Sequence, residues 1–111
     1  MISRMSEYVC AVDDLAPGTA NAAVIGGKNV AMIRLEDGSI HAVEDECSHG
    51  AVALSEGEVT GCFVECWLHG SRFDVRDGVP ATPPAIAAVH VYAVEIDGDD
   101  VYVDVESPTN L

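Results

Sequence analysis

Two short boxes constrain this chain more than any other feature: Cys47-Ser48-His49-Gly50 and Cys66-Trp67-Leu68-His69-Gly70. The pattern is C-x-H, sixteen intervening residues, then C-x-x-H. Each box offers one thiolate and one imidazole, and in each the histidine is followed at once by glycine. Soft sulfur and borderline nitrogen donors in matched pairs are the ligands of a transition-metal centre. Four donors from two separate loops converge only if rigid elements before and after hold those loops side by side. The chain must therefore fold as a scaffold with a loop-bearing region set into it.

The flanking sequence supplies such a scaffold. Tyr8 to Val12, Ala22 to Ile25, Val30 to Leu35 and Ile40 to Glu44 read as strands, with Gly26-Gly27-Lys28-Asn29 and Glu36-Asp37-Gly38-Ser39 as turns between the last three. Val89 to Ile96 and Val101 to Val105 form a hairpin across Asp97-Gly98-Asp99-Asp100. Val101, Val103 and Val105 alternate there with Tyr102 and Asp104, the period of a half-buried strand. No segment sustains a helical period; Asp13 to Gly18 has room for one helical turn. Turn signals every eight to twelve residues predict an all-β protein, an antiparallel sandwich or barrel. The Gly- and Pro-rich stretch from Cys47 to about Ala88, within a site-bearing subregion of about 43–88, carries both boxes, the Arg76-Asp77-Gly78 turn and Pro80-Ala81-Thr82-Pro83-Pro84.

At 111 residues the chain reads as one domain, 1–111, large enough to bury about two-thirds of its unfolded surface. A hydrophobic fraction of 49% argues against disorder, and an aromatic fraction of 5% leaves the core to Val, Ala, Ile and Leu. No apolar run approaches the ~20 residues of a membrane span. The first seven residues lack the apolar stretch of a signal peptide, so the expected compartment is the cytoplasm. Nineteen acidic residues against five basic ones give a net charge of −14, which opposes phosphate backbones and anionic lipid. The acidity suits a partner with a basic docking face, and it also serves solubility. Four cysteines admit a two-disulfide secreted domain, but that reading leaves the cysteine–histidine pairing unexplained. Cys10 and Cys62 lie outside the boxes and are expected to be buried free thiols, with a redox switch as the alternative.

Of the four histidines, His41 and His90 occupy alternating strand positions and read as structural or solvent-facing. Cys47, His49, Cys66 and His69 remain as the metal ligands. A tetrahedral zinc site uses two cysteines and two histidines, but its usual spacing pairs like with like, C-x₂₋₄-C and H-x₃₋₅-H. Thiolates on one metal and imidazoles on the other instead suit an asymmetric [2Fe–2S] cluster. Two ferric ions, two sulfides, two thiolates and two neutral imidazoles sum to zero charge, so an added electron is accepted more readily than by a four-thiolate dianion. Gly50 and Gly70 would allow backbone N–H groups to approach sulfur closely.

The paired boxes, with Leu54-Ser55-Glu56-Gly57 and Phe73-Asp74, resemble the cluster-binding region of Rieske-type ferredoxins. That resemblance implies an antiparallel β fold with the cluster held by two loops at one tip, beside a proline-containing loop. It implies that Cys47 and Cys66 bind the inner iron, and His49 and His69 the outer one, with Gly50, Gly70, Ser71 and Phe73 around them. High-potential members carry two further cysteines that bridge the loops, where this chain has Val52 and Leu68. They also place a tyrosine donor where this chain has Phe73, while Ser71 matches their serine donor. Trp67 stands where the family often has proline. The pattern is similar to that of the soluble ferredoxins of multicomponent aromatic-ring oxygenases.

The resemblance implies a monomeric one-electron carrier between an NAD(P)H-dependent flavoprotein reductase and a terminal ring-hydroxylating oxygenase. No turnover of its own is expected: the chain shows no nucleotide-binding glycine fingerprint and no second carboxylate/histidine metal site. The alternative within redox chemistry is a small subunit of another reductase, such as assimilatory nitrite reductase. The alternative outside it is a structural zinc module.

Overall fold

Among the described residues, nine strands and two 3-10 turns make up the fold. A computed structural model describes residues 5–46, 52–67, 70–81, 87–106 and 108–110. The strands are β1 (Glu7–Ala11), β2 (Thr19–Ile25), β3 (Lys28–Arg34), β4 (Ile40–Glu44), β5 (Val59–Thr60), β6 (Phe63–Glu65), β7 (Arg72–Asp74), β8 (Val91–Asp97) and β9 (Asp100–Asp104). Six of them form one antiparallel sheet in the order β1-β9-β8-β4-β3-β2, and β5-β6-β7 form a second, smaller one.

The large sheet is buried on both faces over its centre. Along β3, Val30 and Met32 join Ile25, Ile40, Ala42, Tyr92, Val101, Val103 and Val105 in one core. Ala31 and Ile33, on the opposite face, join Val43, Val52, Leu54, Val64, Cys66, Phe73, Val75 and Val89 in the other. Successive residues of a strand point to opposite faces, so a strand with a core on each side needs an unbroken apolar run. Val30-Ala31-Met32-Ile33 is that run. The second core is the cement between the large sheet and the small one.

The hairpins follow their turn chemistry. Ile25 pairs with Lys28, so Gly26-Gly27 alone makes the β2–β3 turn, and Lys28 and Asn29 already belong to the ladder. Both glycines have positive φ, 56° and 79°, as a tight two-residue turn of matching twist requires. Asp97 pairs with Asp100 across Gly98-Asp99 in the same way. The valines of β9 are fully buried, as the alternation predicts. The single helical turn sits at Val12–Asp14, one residue earlier than the expected stretch, and a second occurs at Leu54–Glu56. The short strands β5 to β7 were not legible as strands: two or three residues are too few to show a period.

Candidate metal centre

The two boxes grow from neighbouring stems. The second stem is the end of β6. Cys66 follows Glu65 directly, is completely buried, and is a free thiol with no disulfide. Its backbone N–H donates to the Ser71 carbonyl at 2.7 Å, and the Gly70 N–H donates to the Cys66 carbonyl at 2.8 Å. Those two bonds tie Cys66 to Gly70 and Ser71. Gly70 sits at φ 75°, where side-chain-bearing residues are strained. Among the described residues a Cβ there would meet nothing closer than Glu65 Oε1 at 3.6 Å, so the dihedral is what favours glycine. Ser71 and Phe73 are fully buried behind the loop, and Phe73 pairs with Val64 across β6 and β7.

The first stem ends in an isolated bridge between Glu46 and Ala53, closing the path into and out of residues 47–51. Asp45 secures it. This carboxylate is 8% exposed, accepts the Ser55 N–H at 2.7 Å through Oδ1 and the Ser55 hydroxyl at 3.0 Å through Oδ2, and its carbonyl takes the Leu54 N–H at 2.5 Å. A buried carboxylate that holds both donors of Ser55 is a rigid clasp. Sequence reasoning passed over Asp45, which lies unmarked between Glu44 and Glu46. The stems touch through Gly57, where a Cβ would overlap the Glu65 carbonyl, so glycine lets the Leu54–Glu56 turn pack on β6.

Of the expected ligands, Cys66 lies among the described residues, at the end of the second stem. Cys47, His49 and His69 lie outside the described residues, as do Gly50, Leu68 and residues 82–86 of the proline stretch. His41 and His90 are half-buried on or beside the large sheet: His41 Nε2 is 3.0 Å from Ser39 Oγ, and His90 meets Tyr92 edge-on. Among the described residues no three Cys, His, Asp or Glu side chains converge as a metal site. Cys10 and Cys62 are free and half-buried, less enclosed than expected. Burial, and after it the nearby Asp14, push the Cys10 thiol above its usual pKa, toward the protonated form. Cys62 donates to Asp74 Oδ2 at 3.7 Å, and Asp74 is held below the usual carboxylate range chiefly by its hydrogen bond from Arg76.

The donor chemistry fits an iron–sulfur cluster. A thiol buried among apolar side chains, unpaired with another sulfur and pinned by its own backbone, is ready to ligate, and its box partners are the remaining donors such a cluster takes.

Comparison with known proteins agrees. The family model for the Rieske [2Fe-2S] domain matches residues 6–93. The chain is 40% identical to ferredoxin CarAc of Metapseudomonas resinovorans over 96 residues, 86% of this chain and 89% of that protein. It superimposes on a chain from the complex of reduced oxygenase and oxidized ferredoxin in carbazole 1,9a-dioxygenase. There the TM-score is 0.87 at 35% identity, covering 97% of this chain and 100% of that one. A nitrite reductase small subunit of Mycobacterium tuberculosis is more distant, at TM-score 0.80 and 28% identity, over 88% of this chain and 92% of that one. With the family match running through both stems and both ligand boxes, this chain belongs to the Rieske [2Fe-2S] domain family and carries a cluster of that type.

Proposed function

We propose that the protein is the ferredoxin of a multicomponent aromatic-ring-hydroxylating oxygenase. It takes single electrons from an NAD(P)H-dependent flavoprotein reductase and passes them to the terminal oxygenase, with no turnover of its own. The observation that carries this reading is its end-to-end likeness to a ferredoxin bound to such an oxygenase. In this reading the 111 residues work as one unit, as a monomer in the cytoplasm. Among the described residues no helix is long and apolar enough to cross a membrane.

Cys47 and Cys66 are the thiolate ligands, and His49 and His69 the imidazole ligands. When bound, the cluster supplies a one-electron couple. The chain's own part is to hold that couple still and partly dry. The Asp45–Ser55 clasp fixes the first stem, and the Cys66–Ser71 and Gly70–Cys66 bonds fix the second. Val52 and Phe73, both buried, put apolar surface where high-potential relatives have a cysteine and a tyrosine hydroxyl. Fewer donors toward sulfur leave the reduced form less stabilised, so the low-potential branch is favoured.

Anaerobic dithionite reduction tests the centre, with a rhombic EPR signal of low average g as the expected result. An axial signal sinks the assignment. Reconstitution tests the partners: the protein should support turnover by a ring-hydroxylating oxygenase with its reductase. Support of a nitrite reductase large subunit alone would reverse the reading.

A further inference from the structure

Trp67 is the chain's single tryptophan, and it is 56% exposed. A large aromatic left in water beside a tightly packed loop is an unused burial, and such residues mark contact surfaces. Burial alternates along the segment that bears it: Val64 and Cys66 face the core, while Glu65 and Trp67 face outward. Glu58 is brought beside them by the β5–β6 pairing, in which the Glu65 N–H donates to the Glu58 carbonyl at 2.9 Å. Together Glu58, Glu65 and Trp67 line an open recess of about 270 Å³.

We infer that this recess is a cation clamp for an arginine side chain presented by a basic redox-partner protein. The indole offers a π face, the best aromatic surface for a guanidinium, and the two carboxylates offer charged acceptors at its rim. Arg72, opposite Glu65 in the β6–β7 ladder, supplies one positive charge nearby, and the carboxylates outnumber it. The chain's net charge of −14 draws the same class of partner from a distance. Trp67 follows Cys66 directly, so an arginine held there seats the partner within a residue of a cluster ligand. Proline at this position would lack the π face, which makes Trp67 a partner-specific anchor.

The inference rests on the carrier reading, and two measurements on the holoprotein separate them. The first is Trp67 emission during titration with acetyl-Gly-Arg-Gly-amide and with its citrulline twin, which keeps the shape and removes the charge. A saturable change is expected for the arginine peptide, at least fivefold weaker for citrulline and for the Glu58→Gln/Glu65→Gln variant. Equal response to both peptides, or an unchanged response in the variant, overturns the clamp.

The second is electron transfer from the reduced protein to ferricytochrome c, a basic haem protein, at low and high salt. Trp67→Leu should slow it three- to tenfold at low salt, and the double Gln variant should also flatten the salt dependence. The EPR signal and reduction potential should stay those of the native protein. Native rates and salt slope in both variants overturn the clamp while the carrier reading stands. Arginine-selective binding without electron transfer from the native protein supports the clamp and sinks the carrier reading.

Discussion

The six-stranded sheet and the region it carries, residues 43 to 88, are built on opposite principles. The sheet gains its stability from valines, alanines and a methionine packed on both faces. The cluster-bearing region has strands of two or three residues, and to the apolar core it shares with the sheet it adds named polar contacts: Asp45 with Ser55, Cys66 with Ser71, Gly70 with Cys66. A scaffold held by many interchangeable contacts tolerates substitution. A loop held by a few directed bonds does not, but it can place a donor atom accurately.

The sharpest break between the regions comes from removing one of the proposed ligands. Cys66→Ala, or alanine at Cys47, His49 or His69, should abolish the visible absorbance and the EPR signal entirely while the circular dichroism of the large sheet persists. Met32→Ala, in the scaffold, should do the reverse. Met32 is buried in the core away from the small sheet, and its truncation should cost about 2–5 kcal/mol in denaturant unfolding. The cluster spectrum of the folded protein should be unaltered. A scaffold variant that changed the EPR line shape would show that the two regions are not separable.

A smaller effect separates Asp45 from its neighbours. Asp45→Ala leaves the Ser55 N–H and hydroxyl without their acceptor in a buried setting, a cost of about 1–3 kcal/mol. It should also hasten cluster loss under chelator. Glu46→Ala, at an exposed site one residue along, should stay within about 0.5 kcal/mol of the native protein. Equal effects at the two positions would remove the clasp from the account.

Legibility in the sequence divides along the same line. Alternation in Val101-Tyr102-Val103-Asp104-Val105 and the Gly-Gly turn reported the sheet, because burial by one face and a positive φ leave direct marks on residue choice. The boxes pointed to Cys66 as a proposed ligand, because metal ligation admits few residue types. Asp45 left no mark: its role depends on Ser55, brought near only by folding, and three consecutive acids look alike in a chain this acidic. The strands β5 to β7 were invisible for a related reason, since they exist as partners of one another and of the core beneath them. What the sequence shows plainly is what a single residue must satisfy alone.

The smallest effect belongs to His41, a scaffold residue that tests whether the large sheet carries any pH dependence of its own. Ser39 Oγ lies 2.6 Å from Asp37 Oδ1 and 3.0 Å from His41 Nε2. The hydroxyl has one proton, which the shorter contact assigns to Asp37, so His41 Nε2–H donates to the serine oxygen. Burial pushes the His41 pKa below its ordinary value of 6.5, with Asp37 and Asp74 opposing and Arg76 assisting. With the folded pKa depressed, the unfolded chain binds the proton more readily. Stability is therefore undiminished above about pH 6.5 and is lost as pH falls from there toward the folded pKa, levelling off below it. His41→Gln should flatten that stretch of a thermal-midpoint-against-pH curve without moving the midpoint at pH 8 by more than a degree or two. Persistence of the slope in His41→Gln would place the titrating group elsewhere in the protein.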